Sequence, residues 1–194
     1  SQAQRDAAAA TLASAKQENI AVTPRDAAQI DARLKARANE LRRLMAEATS
    51  ERERAHAALA QAGTKATPLQ LEAMKERVAN ADIDIELLRE ASTNLSTEQI
   101  AWQTAVRVYR DHDSKAIIEA RRYGPELIER FTRRREFLDA MSNQVLGRSG
   151  ALSTAIAQAP DAPDVADKRA LRDVFDRRLQ MVQRARFDEA RNLH

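Results

Sequence analysis

Residues 71–109 read LEAMKERVANADIDIELLREASTNLSTEQIAWQTAVRVY, with a mainly apolar stripe at alternating steps of three and four residues. This spacing lines one narrow side of an α-helix for more than five heptads, and neither Gly nor Pro interrupts it. Such a stripe requires a partner helix along its whole length, so we predict a long helix in a coiled coil. The stripe consists of Leu71, Met74, Val78, Ala81, Ile85, Leu88, Ser92, Leu95, Gln99, Trp102, Val106 and Tyr109.

The composition favours the same architecture. Ala, Glu, Lys, Leu and Arg make up 103 of the 194 residues, a proportion typical of long helices and coiled coils. Four Gly and five Pro leave few places for helices to end. We therefore predict an all-α fold, namely an elongated antiparallel coiled-coil hairpin with additional packed C-terminal helices.

The charges are numerous and mixed. The chain carries 32 basic and 29 acidic residues, which indicates a self-compensating, solvated surface rather than a nucleic-acid footprint.

The absence of cysteine excludes a disulfide framework and a thiol nucleophile. No apolar run approaches the ~18 residues that span a bilayer. Because the chain starts at Ser1 without Met or a signal peptide, we expect a mature or excised fragment.

Two similar segments predict the starts of the first two helices. Thr23-Pro24 and Thr67-Pro68 each combine an N-cap residue with proline at the first helical position. Gln70 adds a capping box to the second start. We expect the first helix to run to about Gln61. A turn as short as 63–67 would then force the two helices to lie antiparallel.

The remaining boundaries follow from turn residues. Tyr123-Gly124-Pro125 predicts a helix stop, and so does Pro160-Asp161-Ala162-Pro163. The polar segment 91–99 predicts a local bend in a continuous helix, while Gly147-Arg148-Ser149-Gly150 either breaks or loosens the third helix. The predicted organisation is a flexible or partner-dependent N-terminal helix at 1–22 and one elongated domain at 23–194, which contains a hairpin at 23–123 and helices at 125–159 and 164–191.

Few residues suggest chemistry. Only His112 has neighbouring acids, and residues at i±1 point in different directions, so we interpret it as a solvated helix-end histidine. The acidic segment 82–86 lacks the glycine and distal glutamate of an EF-hand loop, which predicts an exposed acidic flank with Ile85 buried. We therefore predict no catalytic, cofactor-binding or metal-binding residues, and a protein that is not an enzyme.

Arginine clusters are the candidate contact residues. If they converge on one face, they would meet phosphate or an anionic lipid surface. Interleaved acids such as Glu129 and Asp176 favour intramolecular ion pairs instead. The candidate contact residues are Arg121, Arg122, Arg133, Arg134, Arg135, Arg177 and Arg178.

Trp102 is predicted to be buried in the helix seam.

The order of these features resembles a known family. A capped hairpin, then Ile100-Ala101-Trp102-Gln103, then Glu126-Leu127-Ile128-Glu129-Arg130 and a last amphipathic helix resemble the N-terminal periplasmic helical region of large MscS-like mechanosensitive channels. The resemblance covers about residues 25–190. It implies an extracytoplasmic extension that packs around or above a membrane pore and assists assembly or gating, and it transfers no functional residue.

Two functional hypotheses follow. The first is a non-enzymatic helical scaffold or interaction domain, the periplasmic extension of a bacterial inner-membrane protein. Its partner would be another copy or the rest of the membrane assembly, with membrane-surface contact left open and no nucleic acid expected. The alternative is a soluble, cytoplasmic coiled-coil adaptor of DNA-organising, partition or secretion machinery, whose arginines contact DNA or an acidic partner.

Overall fold

A computed structural model describes residues 24–192 of the chain, and this part is built from long helices. We name them α1 (Pro24–Ala62), α2 (Pro68–Tyr109), α3 (Ser114–Gln158) and α4 (Val165–Asn192). A 3₁₀ turn at Gly63–Lys65 joins α1 to α2, and no strand occurs within the described range. The all-α class is confirmed. The coiled-coil geometry, the elongated shape and the single domain stay predictions, and the predicted helix at 1–22 lies outside the described residues.

The predicted turn between α1 and α2 is confirmed in its details. Gly63 has a φ of 54°, a left-handed conformation that glycine adopts without steric cost and that ends α1. The Thr67 hydroxyl accepts a hydrogen bond from the Gln70 backbone N–H at 3.2 Å. The Gln70 side-chain oxygen in turn accepts the Thr67 N–H at 3.1 Å, which completes the capping box.

Contacts between α1 and α2 run in antiparallel order. The Trp102 indole N–H donates to Asp31 at 3.0 Å, and Arg52 pairs with Asp82 at 2.8 Å. Leu34, Leu41 and Leu95 form a buried cluster between these two points. Trp102 packs against this cluster but is only partly buried, because its indole reaches the carboxylate at the edge of the seam.

The predicted stop at Tyr123-Gly124-Pro125 is wrong, because α3 begins at Ser114 and continues through Pro125. The helix boundary lies instead after Tyr109, where α2 and its heptad stripe end. His112 has a φ of 53°, and the Asp113 carboxylate caps α3 by accepting the Lys115 backbone N–H at 2.9 Å. A specific cap thus sets this boundary, whereas an internal proline removes one backbone donor without ending the helix.

Arg107 holds the two sides of this break together. Its guanidinium donates to Asp113 at 3.1 Å and to Glu119 at 3.0 Å. The hydrogen bond from Arg107 lowers the pKa of Asp113 below its usual value, which favours the charged capping form.

The segments 91–99 and 147–150, where the sequence predicted a bend and a break or loosening, are helical throughout. Across 91–99 the hydroxyls of Ser92 and Ser96 donate to carbonyls four residues earlier, at 2.9 Å and 3.1 Å. These bonds satisfy polar side chains without interrupting the helix. The continuity predicted for α2 is confirmed, and its bend stays a prediction. The segment 147–150 also remains within α3, which ends at Gln158, before the predicted proline turn.

α2 is the central helix, because it packs against α1, α3 and α4. Asp167 at the start of α4 accepts hydrogen bonds from Thr67 at 2.7 Å and Gln70 at 2.9 Å, which fixes α4 beside the start of α2. The α2–α3–α4 core has two buried clusters. They contain Ala73, Val145, Leu171, Val174 and Phe175 in one, and Leu87, Leu138 and Val182 in the other.

Candidate interaction groove

A groove lies between α1 and α4, with α2 as its floor. Among the described helices α1 packs against α2 alone, so nothing in this range bridges α1 and α4. The groove has a volume of about 400 Å³. Half of its lining residues are apolar and half are polar or charged. The large apolar side chains are Leu41, Leu44, Leu87, Leu88, Leu95 and Met181. Apolar surface of this kind is favourable to bury against another group.

One arginine of α1 lines the groove. Arg37 interrupts the apolar heptads of α1, and the structure places it in the groove wall, one heptad before Leu44. Its positive charge acts on the Glu98 carboxylate of α2.

Two carboxylates face the groove from α2. Burial raises the pKa of Asp84, although Arg184 and Arg177 oppose the shift. Burial also raises the pKa of Glu98, with Arg33 and Arg37 acting in the opposite direction. The Glu98 Oε1 atom is buried without a hydrogen-bond partner among the described residues. A charged oxygen in that position is unfavourable until a donor reaches it.

Asp84 belongs to the acidic segment that was predicted to be an exposed flank. Ile85 is buried, at 5% exposure, as predicted. Asp84 differs from the prediction, because it is partly buried and lines the groove. Within residues 24–192 no three His, Cys, Asp or Glu side chains form a cluster suited to a metal ion.

The predicted arginine contact residues divide between two environments. Arg134 and Arg178 are buried, at 8% and 9% exposure, and both turn toward α2. Arg134 pairs with Glu90 at 2.9 Å and also forms part of the groove lining. These two side chains are thus used inside the helix bundle.

The other predicted arginines are exposed. Arg133 pairs with Glu129 on its own helix, and Arg135 approaches Asp139 at 4.0 Å. Arg177 lies in the groove wall near Asp84. Arg121 and Arg122 lie in the first part of α3, about three helical turns before Arg134, which lines the groove. Their role as partner contacts stays a prediction.

A buried polar network joins α4 to α2. The Arg178 guanidinium donates to the Asn80 side-chain oxygen at 2.6 Å and to the Glu76 carboxylate at 2.6 Å. The Asn80 amide donates to the Val174 carbonyl at 2.8 Å. Arg178 also lies over the Phe175 ring, 5.5 Å from its centroid. Because each polar group has a partner, the network fixes the position of α4 along α2.

Sequence reasoning missed this network and the groove. The signal for the network was a second seven-residue series on α2, formed by Ala73, Asn80, Leu87 and Asn94, all of which are buried. Because two of its four members are asparagines, this series resembles a solvent-exposed face in the sequence. The groove required knowledge of which helices touch, and no local pattern supplies that.

Comparisons with known proteins give no relative: no family model matches the chain, and no match was found among curated proteins or solved structures. None of the described helices combines the length and apolar character needed to cross a membrane.

Proposed function

We propose that this chain is a non-enzymatic helical scaffold or interaction domain, the extracytoplasmic extension of a bacterial membrane protein such as a mechanosensitive channel. The observation that carries the proposal is that α1 packs against α2 alone among the helices described above, which leaves a partly apolar groove open beside the α2–α3–α4 core. A long helix with an uncovered flank is suited to assembly through helix packing.

The charge distribution supports the same proposal. Four of the seven candidate arginines pair with acids of the same bundle, namely Arg133, Arg134, Arg135 and Arg178. Because these arginines are already paired, we expect a partner protein to bind mainly through apolar surfaces. Assembly or gating of a membrane pore would then depend on how this domain packs against neighbouring protein.

Exposed apolar side chains offer further packing surface on α3. Ile118, Ile128 and Phe137 are 72%, 69% and 53% exposed. Burial of these residues against a neighbouring subunit or the rest of the assembly would stabilise the complex by roughly 25 cal/mol per Å² of apolar area.

The compartment is the decisive test of this proposal. We expect alkaline phosphatase fused after His194, in the natural gene with whatever precedes Ser1, to be active, because that enzyme needs the oxidising periplasm for its disulfides. A green fluorescent protein fusion of the Sec-exported type at the same position should stay dark. Bright fluorescence with inactive phosphatase would contradict the envelope location and favour the cytoplasmic adaptor.

A further inference from the structure

One side of α2 forms the floor of the α1–α4 groove, and its residues recur at alternating steps of four and three. This is the spacing of a seam between two packed helices. Within residues 24–192, α1 and α4 flank this side of α2 without contacting each other. The series begins and ends with a carboxylate, and it consists of Asp84, Leu88, Ala91, Leu95 and Glu98.

The two walls of the groove repeat this spacing. Each wall contributes three side chains at steps of four and three, with Leu41 at the centre on α1 and Met181 at the centre on α4. Because floor and walls all present helically spaced side chains to one open channel, the complementary occupant is a further helix. The lining series are Arg37, Leu41 and Leu44 on α1, and Arg177, Met181 and Arg184 on α4.

The α4 wall carries an excess of positive charge. Arg177 and Arg184 lie one heptad apart, and both are exposed. Both act on the pKa of Asp84, but neither forms a hydrogen bond or an ion pair within the described residues. Two cations thus face one acid at this end of the groove lining. Acidic side chains one heptad apart on an occupant helix would pair with both arginines.

Glu98 sets the opposite requirement at the other end of the floor. Its Oε1 atom is buried and has no hydrogen-bond donor among the described residues. A lysine or arginine at the matching turn of the occupant would supply that donor. The occupant therefore carries acids toward one end, a basic residue at the other and an apolar face between them.

The contacts of α2 fix the spacing of these charges. α4 runs parallel to α2, as shown by the hydrogen bonds at the starts of both helices and by the bond from Arg178 to Asn80. Arg177 therefore lies level with about residue 79 of α2, and Glu98 lies roughly 29 Å further along the helix axis. An occupant parallel to α2 would carry its acids in its first half and its cation in its last turn, which the helix dipole favours.

We propose that the α1–α4 groove binds an amphipathic helix of a partner protein, parallel to α2, whose acidic residues pair with Arg177 and Arg184 and whose basic residue pairs with Glu98. The bound helix would bridge α1 to α4 and complete a layer around α2. The proposal rests on the scaffold function proposed above, and it specifies the chemistry of the partner segment.

A designed helical peptide tests the proposal. It has about twenty residues, leucines at alternating steps of three and four, two glutamates one heptad apart in its first half and a lysine in its last turn. We expect the fluorescein-labelled peptide to bind the full chain with micromolar affinity, measured by fluorescence anisotropy. A comparison peptide with lysines in place of both glutamates should bind at least about tenfold more weakly, because like charges would then meet at the α4 wall.

Matched arginine variants locate the bound peptide. Arg177→Gln/Arg184→Gln should weaken binding of the acidic peptide about five- to tenfold, because two ion pairs at a partly buried interface are lost. Arg169→Gln/Arg186→Gln removes the same charge from exposed positions of α4 outside the groove lining. It should change the affinity by less than about twofold. Glu98→Gln should weaken binding only of peptides that retain the terminal lysine.

Equal weakening by the two double variants, or no saturable binding of the acidic peptide, would overturn the proposal. Preferential binding of the basic peptide would overturn the acidic partner and leave the scaffold function standing. Self-association that Arg177→Gln/Arg184→Gln abolishes, without binding of the peptide, would assign the groove to a second copy instead. The phosphatase fusion tests the envelope location by itself, so the two proposals fail separately.

Discussion

Replacing Phe175 by alanine should destabilise the full chain by about 3–5 kcal/mol, the cost of truncating a large buried aromatic side chain. Phe175 is 1% exposed and belongs to the cluster that joins α2, α3 and α4. Its ring also lies beneath the Arg148 guanidinium, 4.7 Å from the ring centroid. Truncation would therefore remove apolar burial and a cation–π contact at once.

The matched control is Phe187→Ala, which makes the same change on the same helix at a side chain that is 64% exposed. It should change stability by no more than about 0.5 kcal/mol. Urea unfolding followed by circular dichroism measures both variants. Similar losses in the two, or a loss below about 1 kcal/mol for Phe175→Ala, would show that α4 does not pack into this core.

Replacing Arg178 by methionine should cost about 2–3 kcal/mol, because it removes the charged donor at one oxygen of the Glu76 carboxylate in a mostly buried site. Arg148 still pairs with the other oxygen of Glu76 at 2.9 Å, which limits the loss. The side chains of Arg178 and Glu76 are only 11% and 17% exposed. Asn80 would also lose the donor at its side-chain oxygen. Much of the expected loss is thus the cost of unpaired polar groups rather than the value of the ion pair itself.

Two further variants separate these contributions. Arg177→Met alters the adjacent exposed arginine and should be nearly neutral. The double variant Glu76→Met/Arg178→Met removes both charges and should be more stable than Arg178→Met alone. A double variant that loses the sum of two large single effects would contradict the network described here.

Local chemistry decided which boundaries could be predicted from the sequence. Thr67, Pro68 and Gln70 specify a helix start within four residues, so the turn was predicted correctly. The error at Pro125 arose from treating proline as a necessary stop. The observed break depends on Asp113, whose capping role is supported by Arg107 from the preceding helix.

The burial pattern of α2 was only half predictable. The stripe toward α1 was apolar at residues such as Ile85 and Leu95, so periodicity identified it. The opposite buried face includes Asn80, which becomes suitable for burial only when Arg178 and the Val174 carbonyl meet it. Such tertiary partners, separated by more than ninety residues, cannot be deduced from spacing alone.

The placement of the arginines depended on the same kind of information. Arg134 and Arg178 occur in basic clusters that look alike in sequence, yet both are buried against α2. Their neighbours Arg133 and Arg177 are exposed. One step of about 100° around a helix separates these environments, and only the packing of α3 and α4 on α2 decides which residue turns inward.

The central claim is that this domain acts through helix packing, with its arginines used largely within the bundle. Binding of the full chain to duplex DNA, followed by fluorescence anisotropy at rising salt, tests this claim most directly. If the arginines are used within the bundle, we expect no saturable binding at micromolar protein near physiological ionic strength. Sub-micromolar affinity that falls steeply as salt increases would contradict it, because such a slope reports counterions released by a convergent cationic face.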